Sequence, residues 1–492
     1  MPPGETKPRP FCGVSRPYRG HRAHQEGSPP VWLISFPIIA ALTLLLAAFT
    51  AFRAMQTSRT PQGAVGWVVF IAALPFAAIP AYYIFGYART GDYRLRRAVT
   101  ETALSRFEPG SSGYAGQEAL DRLQLFTALG GAPVVTGNGV ELIENGQPTY
   151  DAIIDEIGRA RTYLLVQYYT VRDDEAGAQL LEALLDAARR GVKVRMLYDP
   201  MGCFLLTRRY KRALMQGGVE LVATRGPSRV LGRFGLNYRN HRKTVIVDGL
   251  VGFQGGVNVG NEYLGAWRDT HTRLTGPVVA QLQMVFAEDW AIQTDVTLDD
   301  ELNWDPGRVE DGHEALVLGS GPTDRFETAT LYFGALAHQA QRRLWLTTPY
   351  FVPHSDLVAA LSLAALRGVD VRVMVPDRPD KWSPWIAAFG FFDEIRSAGV
   401  QVLRYDAGFM HQKVALVDDD LVSIGTINLD IRSCMLNYET TVLVHGEDIA
   451  GRVEAMLERD MKDMHVLEKR LDEQALWLRV AAPVIRLMAP VL

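Results

Sequence analysis

Two long apolar runs without a charge, residues 31–52 and 63–86, open the hydrophobic pattern of this chain. The first has 22 residues and as a helix would extend ~33 Å, enough to cross the hydrocarbon of a bilayer. The second is of similar length and predicts a second transmembrane helix, so residues 31–87 read as a membrane-spanning pair. Pro37, Pro75 and Pro80 are points where these helices would kink, and a re-entrant hairpin held in one leaflet is the alternative. Before the first run, residues 1–30 are rich in proline, glycine and arginine and too poor in large apolar groups to order themselves. This long tail, with no small-residue cleavage pattern after the run, argues against a cleaved signal peptide. Lys7, Arg9, Arg16, Arg19 and Arg22 precede the pair and Arg89, Arg94, Arg96 and Arg97 follow it, against Arg53 and Arg59 between the runs. The positive-inside rule then places both ends, and everything downstream, on the cytoplasmic face of the cell membrane.

Beyond the apolar runs the pattern changes to short apolar segments alternating with amphipathic ones. Residues 88–130 read as a connector, polar at first, with a loop over 108–116 and a helix over 117–129. Short strands around 133–135 and 140–143 lead into a first half, residues 131–305. Its order is helix 150–161, strand 163–169, helix 176–190, strand 193–197, helix 208–215, strand 219–223, then a hairpin. A second half, residues 306–470, repeats that order: helix 328–342, strand 344–348, helix 357–367, strand 370–375, helix 383–397, strand 400–405, then a hairpin. ARRGVKVRMLYDP at 188–200 is echoed by ALRGVDVRVMVPD at 365–377. Buried apolar strands alternating with helices predict an α/β fold, a mixed sheet flanked by helices on both faces, built twice. In the last segment, residues 471–492, the stretch 475–492 is apolar except for Arg479 and Arg486, seven apart, with Trp477 among them and Pro483 and Pro490 as breaks, which suits an interfacial segment. Trp382, Trp385, Phe389, Phe391 and Phe392 suit a lipid contact or a packed helix equally.

The two hairpins carry the chemistry. HRKTVIVDGLVGFQGGVN at 241–258 returns as HQKVALVDDDLVSIGTIN at 411–428, with lysine at +2, aspartate at +7, glycine at +14 and asparagine at +17 from each histidine. Acidic residues, Asp269 and Glu439, follow at +28 in both copies. On extended backbone alternate side chains share a face, so His241 points with Lys243 and His411 with Lys413. Two imidazoles and two ammonium groups can surround one anion. Histidine can attack phosphorus or relay a proton near neutral pH, while lysine and asparagine donate to phosphoryl oxygens. This chemistry calls for no metal and no cofactor.

The doubled H-x-K-x4-D-x6-G-x-x-N pattern resembles the phospholipase D superfamily. Its surroundings resemble the bacterial cardiolipin synthase branch: NHRKTVIVDG, GGVNVGNEYLGAWRDTH, the run 286–290, GSGP at 319–322 and INLDIRSCMLNYE at 427–439. Gly256 stands where the wider superfamily commonly has serine, while the second copy keeps a hydroxyl at Thr426. The resemblance implies two halves related by an approximate two-fold, with His241 and His411 meeting at their interface. It implies His241 as nucleophile forming a phosphatidyl-histidine and His411 as the acid and base. Lys243, Lys413, Asn258 and Asn428 would hold the phosphoryl oxygens, and Asp269 and Glu439 would orient the rings. The motif carboxylates Asp248 and Asp418 belong to the same signature, but their position at hairpin turns favours a capping task.

Composition narrows the substrate. With 48% hydrophobic and 22% charged residues in 492, there is material for two cores and an anchor. Cys12, Cys203 and Cys434 are too few and scattered for a disulfide framework or a thiolate metal site. Residues 208–243 hold ten Lys or Arg and one acid, Glu220, which suits an anionic headgroup or a nucleic acid. The apolar runs favour the lipid. Phosphatidylglycerol and an anionic bilayer are therefore the expected partners, with no nucleic acid. A phosphatidyltransferase joining two phosphatidylglycerols with release of glycerol is the expected activity; a phospholipase D using water, a transferase using another alcohol, and a nuclease are the alternatives.

Overall fold

The structure, a computed structural model, describes residues 31–58, 61–86, 116–224, 238–265 and 267–489. The expected tail, most of the connector, part of the basic stretch and Pro490 lie outside the described residues. The chain forms two units, Met1–Tyr82 and Tyr83–Leu492.

The first unit holds α1 (Val31–Thr57), α2 (Pro61–Ala73) and most of α3 (Pro75–Phe85). Within α1, Ile38–Thr57 is the one helix among the described residues long and apolar enough to cross a membrane. The second apolar run departs from the expected single span. Pro75 cannot donate a backbone hydrogen bond and its ring crowds the preceding turn, so the helix breaks at Leu74. Trp67 and Tyr82 would lie ~22 Å apart on a straight helix. Their rings instead meet edge-on at 5.4 Å, and the Tyr82 hydroxyl is 2.7 Å from Thr57 Oγ1 at the end of α1. Thus α3 bends back toward α2, and the second run is not one straight helix.

In the second unit, α4 (Gln117–Gly130) precedes a first half made of β1 (Val135–Glu144), α5 (Gly146–Arg159), β2 (Tyr163–Tyr168), α6 (Glu175–Arg189), β3 (Lys193–Tyr198), α7 (Arg208–Gln216), β4 (Glu220–Ala223), β5 (Arg239–Asn240), β6 (Thr244–Val247), β7 (Val251–Gly255), α8 (Asn261–Leu264), β8 (Trp267–Arg268), β9 (Thr270–Thr275) and α9 (Val278–Thr294). The second half follows with β10 (His313–Ser320), α10 (Thr328–Gln339), β11 (Arg343–Thr347), β12 (Phe351–Val352), α11 (Ser355–Leu366), β13 (Asp370–Pro376), α12 (Trp382–Ser397), β14 (Gln401–Tyr405), β15 (Phe409–Met410), β16 (Val414–Val417), β17 (Leu421–Gly425), β18 (Leu429–Asp430), α13 (Ile431–Met435), β19 (Asn437–His445), α14 (Glu447–Met461), β20 (Met464–Val466) and α15 (Leu476–Arg486).

One mixed sheet of sixteen strands runs through both halves, in the order β20-β14-β13-β11-β16-β17-β19-β10-β1-β9-β7-β6-β2-β3-β4, with β5 beside β19. Read outward from the β1–β10 junction, each half has three antiparallel neighbours, then the motif hairpin strand against a parallel set. The expected α/β repeat is present, and the halves share a sheet instead of merely docking. A core of Val285, Phe286, Val453, Met456 and Leu457 from α9 and α14, with Ile246 and Leu416 from the two hairpins, spans both halves. The opposite faces are covered separately, by α5, α6 and α7 on the first half and by α10, α11, α12 and α15 on the second. Helix α4, counted above as connector, packs Leu123 and Phe126 into the second half's core, and Arg122 bonds Asp418 and Asp420.

At the carboxyl end α15 continues through Pro483 as one helix. Leu478 and Ala482 face the core, while Leu476, Trp477, Val480, Val484 and Leu487 face outward. Arg479 and Arg486 are both exposed, and Arg486 lies across α12, its guanidinium 4.2 Å from the Phe391 ring centre and bonded to the Gly390 carbonyl at 2.5 Å. In α12 Phe389, Phe391 and Phe392 are core residues, whereas Trp382 is exposed.

The motif aspartates hold the sheet's ends. Asp248, in the left-handed region at φ 54°, accepts from the Arg161, Thr162 and Tyr163 amides and the Thr162 hydroxyl. Asp418, at φ 52°, accepts from the Gln341, Arg342 and Arg343 amides and from Arg122. Each clamps the turn before β2 or β11 to the hairpin. Asp248→Ala or Asp418→Ala is therefore expected to destabilise the protein by about 2–4 kcal/mol, since three amides lose a charged acceptor, read as a lower thermal midpoint in detergent. Burial pushes the Asp248 carboxyl up, but Thr162 and the backbone amides pull it net below the usual carboxylate range. Its contribution is therefore full above the ordinary aspartate pKa and is lost as pH falls through the depressed value, so the wild-type advantage over Asp248→Ala should shrink in acid.

Candidate active site

The histidines are delivered by short strands that leave their own half. β5 pairs in parallel with the start of β19, and the His241 amide donates to the Tyr438 carbonyl at 2.9 Å. The next residue on β19 is Glu439, whose carboxylate takes His241 Nδ1 at 2.9 Å. The two-fold mate repeats this: β15 pairs in parallel with β8, the His411 amide donates to the Arg268 carbonyl at 2.7 Å, and Asp269 Oδ2 lies 2.6 Å from His411 Nδ1. Each imidazole is thus held by a carboxylate of the opposite half. With Nδ1–H donating to the carboxylate, Nε2 carries the lone pair, which at His411 faces Lys413 Nζ at 3.1 Å.

Both lysines are buried beside their histidines. Lys243 Nζ donates to the His241 carbonyl at 2.5 Å and stands 5.4 Å over the Tyr169 ring, which itself meets the His241 ring at 4.8 Å. Lys413 Nζ lies 2.7 Å from His411 Nδ1 and bonds the His411 carbonyl. Tyr263 and Trp267 wall His411 at 5.5 and 5.2 Å. Asn258 accepts from the Thr170 amide and donates to the Tyr263 hydroxyl at 2.6 Å, while Asn428 donates to Asp430 at 3.1 Å.

Burial sets the electrostatics. It pushes His241 down to about 4, against the pull of Glu439, and His411 well below its ordinary value with Lys413 and Lys243 adding to the effect. It brings Lys413 down to about 8 and Lys243 well below the usual lysine range. Asp269 is raised by burial; Glu439 is also pushed up by burial, but His241 and Lys243 bring it net below the usual range. Neutral imidazoles between ammonium groups and carboxylates favour an incoming anion, which would restore the protonated forms.

Gly256 explains one departure in the motif. A Cβ there would come 2.0 Å from Asp269 Oδ1, so only glycine leaves the carboxylate its place against His411. In the second half Thr426 Oγ1 bonds the backbone of Thr440, beside Glu439. The residues between histidine and lysine point away, toward a second pair of acids. Arg242 pairs with Asp289 at 2.6 Å, joined there by Asn240 and Gln167; Gln412 bonds Asp460 at 2.7 Å, as does Arg268. Sequence reasoning assigned no task to Asp289, Asp460, Tyr169, Tyr263 or Trp267. The only signal was Asp289 inside the run 286–290 and an aspartate one residue further on in the second copy. Asp248 and Asp418 stand beyond the far ends of β6 and β16 and do not join this cluster.

A group of potential metal ligands, Glu118, Asp420 and His445, lies elsewhere. Arg122 already bonds Asp420, at 2.7 Å through Nε.

Adding a methyl group at Gly256 tests the crossed arrangement locally. Gly256→Ala is expected to displace Asp269 from His411 and lower turnover at least about tenfold, as misplaced catalytic geometry does. Unchanged turnover would contradict the tight placement.

The family model described as cardiolipin synthase, PLD-like domain, matches residues 153–290 and 335–461. Cardiolipin synthase A of Pseudomonas aeruginosa strain LESB58 is 41% identical over 476 residues, covering 91% of this chain and 94% of that protein. The Pseudomonas fluorescens cardiolipin synthase A is 37% identical over 477 residues, with 93% and 98% covered. Among solved structures, phosphatidylserine synthase of Haemophilus influenzae Rd KW20 has the same fold, with a TM-score of 0.59 at 15% identity, covering 76% of this chain and 100% of that one. With two like halves, a doubled motif closed around one buried cluster, and this similarity along nearly its full length, the chain belongs to the cardiolipin synthase family of phospholipase D-like proteins.

Proposed function

We propose that the protein transfers a phosphatidyl group from one phosphatidylglycerol to another, giving cardiolipin and glycerol. The observation that carries this is the pair of histidines, each held through Nδ1 by the other half's carboxylate, which makes Nε2 the nitrogen that acts. In the first step His241 Nε2 attacks phosphorus, the bond to the glycerol oxygen breaks, and His411 gives that oxygen a proton. In the second, the acceptor's glycerol hydroxyl yields its proton to His411 and attacks phosphorus as the P–N bond breaks. The choice of His241 as nucleophile follows the family resemblance. Lys243, Lys413, Asn258 and Asn428 donate to the non-bridging oxygens, while Asp269 and Glu439 fix the tautomers. Asp248 and Asp418 act by holding the hairpins. The phosphodiester bond energy is conserved in the intermediate, so no nucleotide is consumed.

Helix α1 supports membrane attachment, and the outward apolar row of α15 with Arg479 suits the bilayer surface. The arginines at 89, 94, 96 and 97 support a cytoplasmic site. With α2 and α3 read as staying in one leaflet, α1 alone crosses and the amino terminus lies on the other side, against the pull of Lys7, Arg9, Arg16, Arg19 and Arg22.

Detergent-solubilised protein given labelled phosphatidylglycerol is expected to yield cardiolipin and free glycerol, and His241→Ala or His411→Ala to lower the rate by about 10³-fold or more. Phosphatidic acid as the main product would move the assignment to hydrolysis. The pH profile of kcat/KM should fall in acid as His241 protonates near its value of about 4, and fall in base as Lys413 loses its charge near about 8. For topology, an impermeant maleimide added to intact spheroplasts is expected to label Cys12, Cys203 and Cys434 being buried. Labelling only after lysis would restore a second crossing.

A further inference from the structure

Between Asp199 and Glu220 the chain leaves β3, crosses a loop and forms α7, with four cations, Arg208, Arg209, Lys211 and Arg212, and no acid. The loop is fixed from within. Asp199 Oδ1 accepts from the Met201 and Gly202 amides at 2.8 and 2.9 Å, and the Leu206 amide donates to the Cys203 carbonyl at 3.0 Å, with Cys203 and Leu206 buried. The large apolar side chains between them point outward: Phe204 is 70% exposed, Leu205 55% and Met201 45%. One such residue on a surface is ordinary, but three within five residues of an ordered loop make a patch.

The patch is fastened at the mouth of the site. Cys203 Sγ donates to the Tyr169 carbonyl at 3.3 Å, and a Cβ on Gly202 would come 2.0 Å from that same oxygen, so the loop is pressed onto Tyr169. The Tyr169 ring in turn meets the His241 ring at 4.8 Å. Only one residue separates the loop from the reacting imidazole. Behind the loop, α7 turns Tyr210 and Leu214 into the core and leaves Arg208, Arg209, Arg212 and Met215 exposed. Arg212 Nε donates to the Arg208 carbonyl at 3.2 Å and Lys211 stands 5.6 Å over the Tyr198 ring, but none of the four cations makes an ion pair among the described residues. The counterpart loop of the second half, after β13, leads likewise into exposed Lys381 and Trp382. Apolar tips backed by cations, with no acid among them, are complementary to an anionic bilayer surface: the tips enter the acyl boundary and the cations stay with the lipid phosphates.

We infer that residues 201–215 form a lip that enters the surface of an anionic bilayer and seats the mouth of the site against it. This rests on the phosphatidyltransferase reading, in which the substrate is a bilayer phospholipid. Helix α1 suits a tether to the membrane; the lip gives the catalytic unit a contact of its own. A headgroup leaving the bilayer beside Phe204 and Leu205 then meets Tyr169 and His241 next. The lip does not touch the reacting atoms, so it governs access to lipid held in a membrane and leaves the chemical step alone.

The test uses the full-length protein. Cys203 and Cys434 are buried, so Phe204→Cys with Cys12→Ser leaves one accessible thiol for an environment-sensitive fluorophore. In phosphatidylcholine vesicles containing phosphatidylglycerol, its emission is expected to shift to the blue and to be quenched by a nitroxide on the lipid acyl chain. Replacing Arg208, Arg209 and Arg212 with Gln should remove at least about half of that quenching. Emission as in water, or a blue shift that no nitroxide lipid quenches, as a protein partner or a second copy would give, overturns the lip. As a second reading, Phe204→Ser with Leu205→Ser should lower cardiolipin formation from vesicle phosphatidylglycerol at least about tenfold, since two large apolar groups no longer enter the bilayer. The rate on dihexanoyl phosphatidylglycerol dispersed as monomers should stay as in wild type; an equal loss on both substrates contradicts the lip. Wild-type protein that makes no cardiolipin from either substrate, with the label quenched, would instead overturn the functional reading on which it rests.

Discussion

Everything in the catalytic unit depends on two buried bonds between unlike partners: His241 to Glu439 and His411 to Asp269. A buried imidazole between lysines is costly to charge, and a buried carboxylate is costly to leave alone. Crossing the pairs ties both costs to the closure of the halves. Neither half holds an oriented histidine by itself, so the site exists only when the two-fold is complete. The parallel pairings of β5 with β19 and β15 with β8 make that closure part of the backbone.

The sheet makes the crossing possible. Because β1 and β10 are neighbours, the chain carries one sheet through both halves, and α9 and α14 fill a core they share. The motif hairpins lie on either side of that junction. Their aspartates pin the far ends, so the near ends, with histidine and lysine, are presented at fixed depth. Asp289 and Asp460 complete the support by gripping the residues between, from the carboxyl-terminal parts of those shared helices.

Much of this was legible because the hairpins obey simple rules. Alternation around Lys243 and Lys413 put each with its histidine, and Asp248-Gly249 marked a turn. The strands that proved decisive carry less signal. β9 reads THTRLT and β19 begins NYETT, polar sequences that are buried because they are central strands whose side chains bond across the sheet. Helix α9 is buried all round from Val278 to Ala291, so it has no polar face to reveal a period. The exchange of carboxylates could not be read from spacing, since both lie 28 residues from their own histidine and the two assignments look alike in one dimension. At the amino terminus the break at Pro75 was visible, but the fold-back depends on Trp67, Thr57 and Tyr82 meeting.

The exchange itself is open to direct observation by ¹⁵N spectroscopy of the imidazoles in selectively labelled protein. Replacing Glu439 with Gln should alter the tautomer and titration of His241 while leaving the His411 ring largely as it was, and Asp269→Asn should do the reverse. Should each replacement disturb the histidine of its own half instead, the crossed cluster, and the account of catalysis built on it, would be wrong.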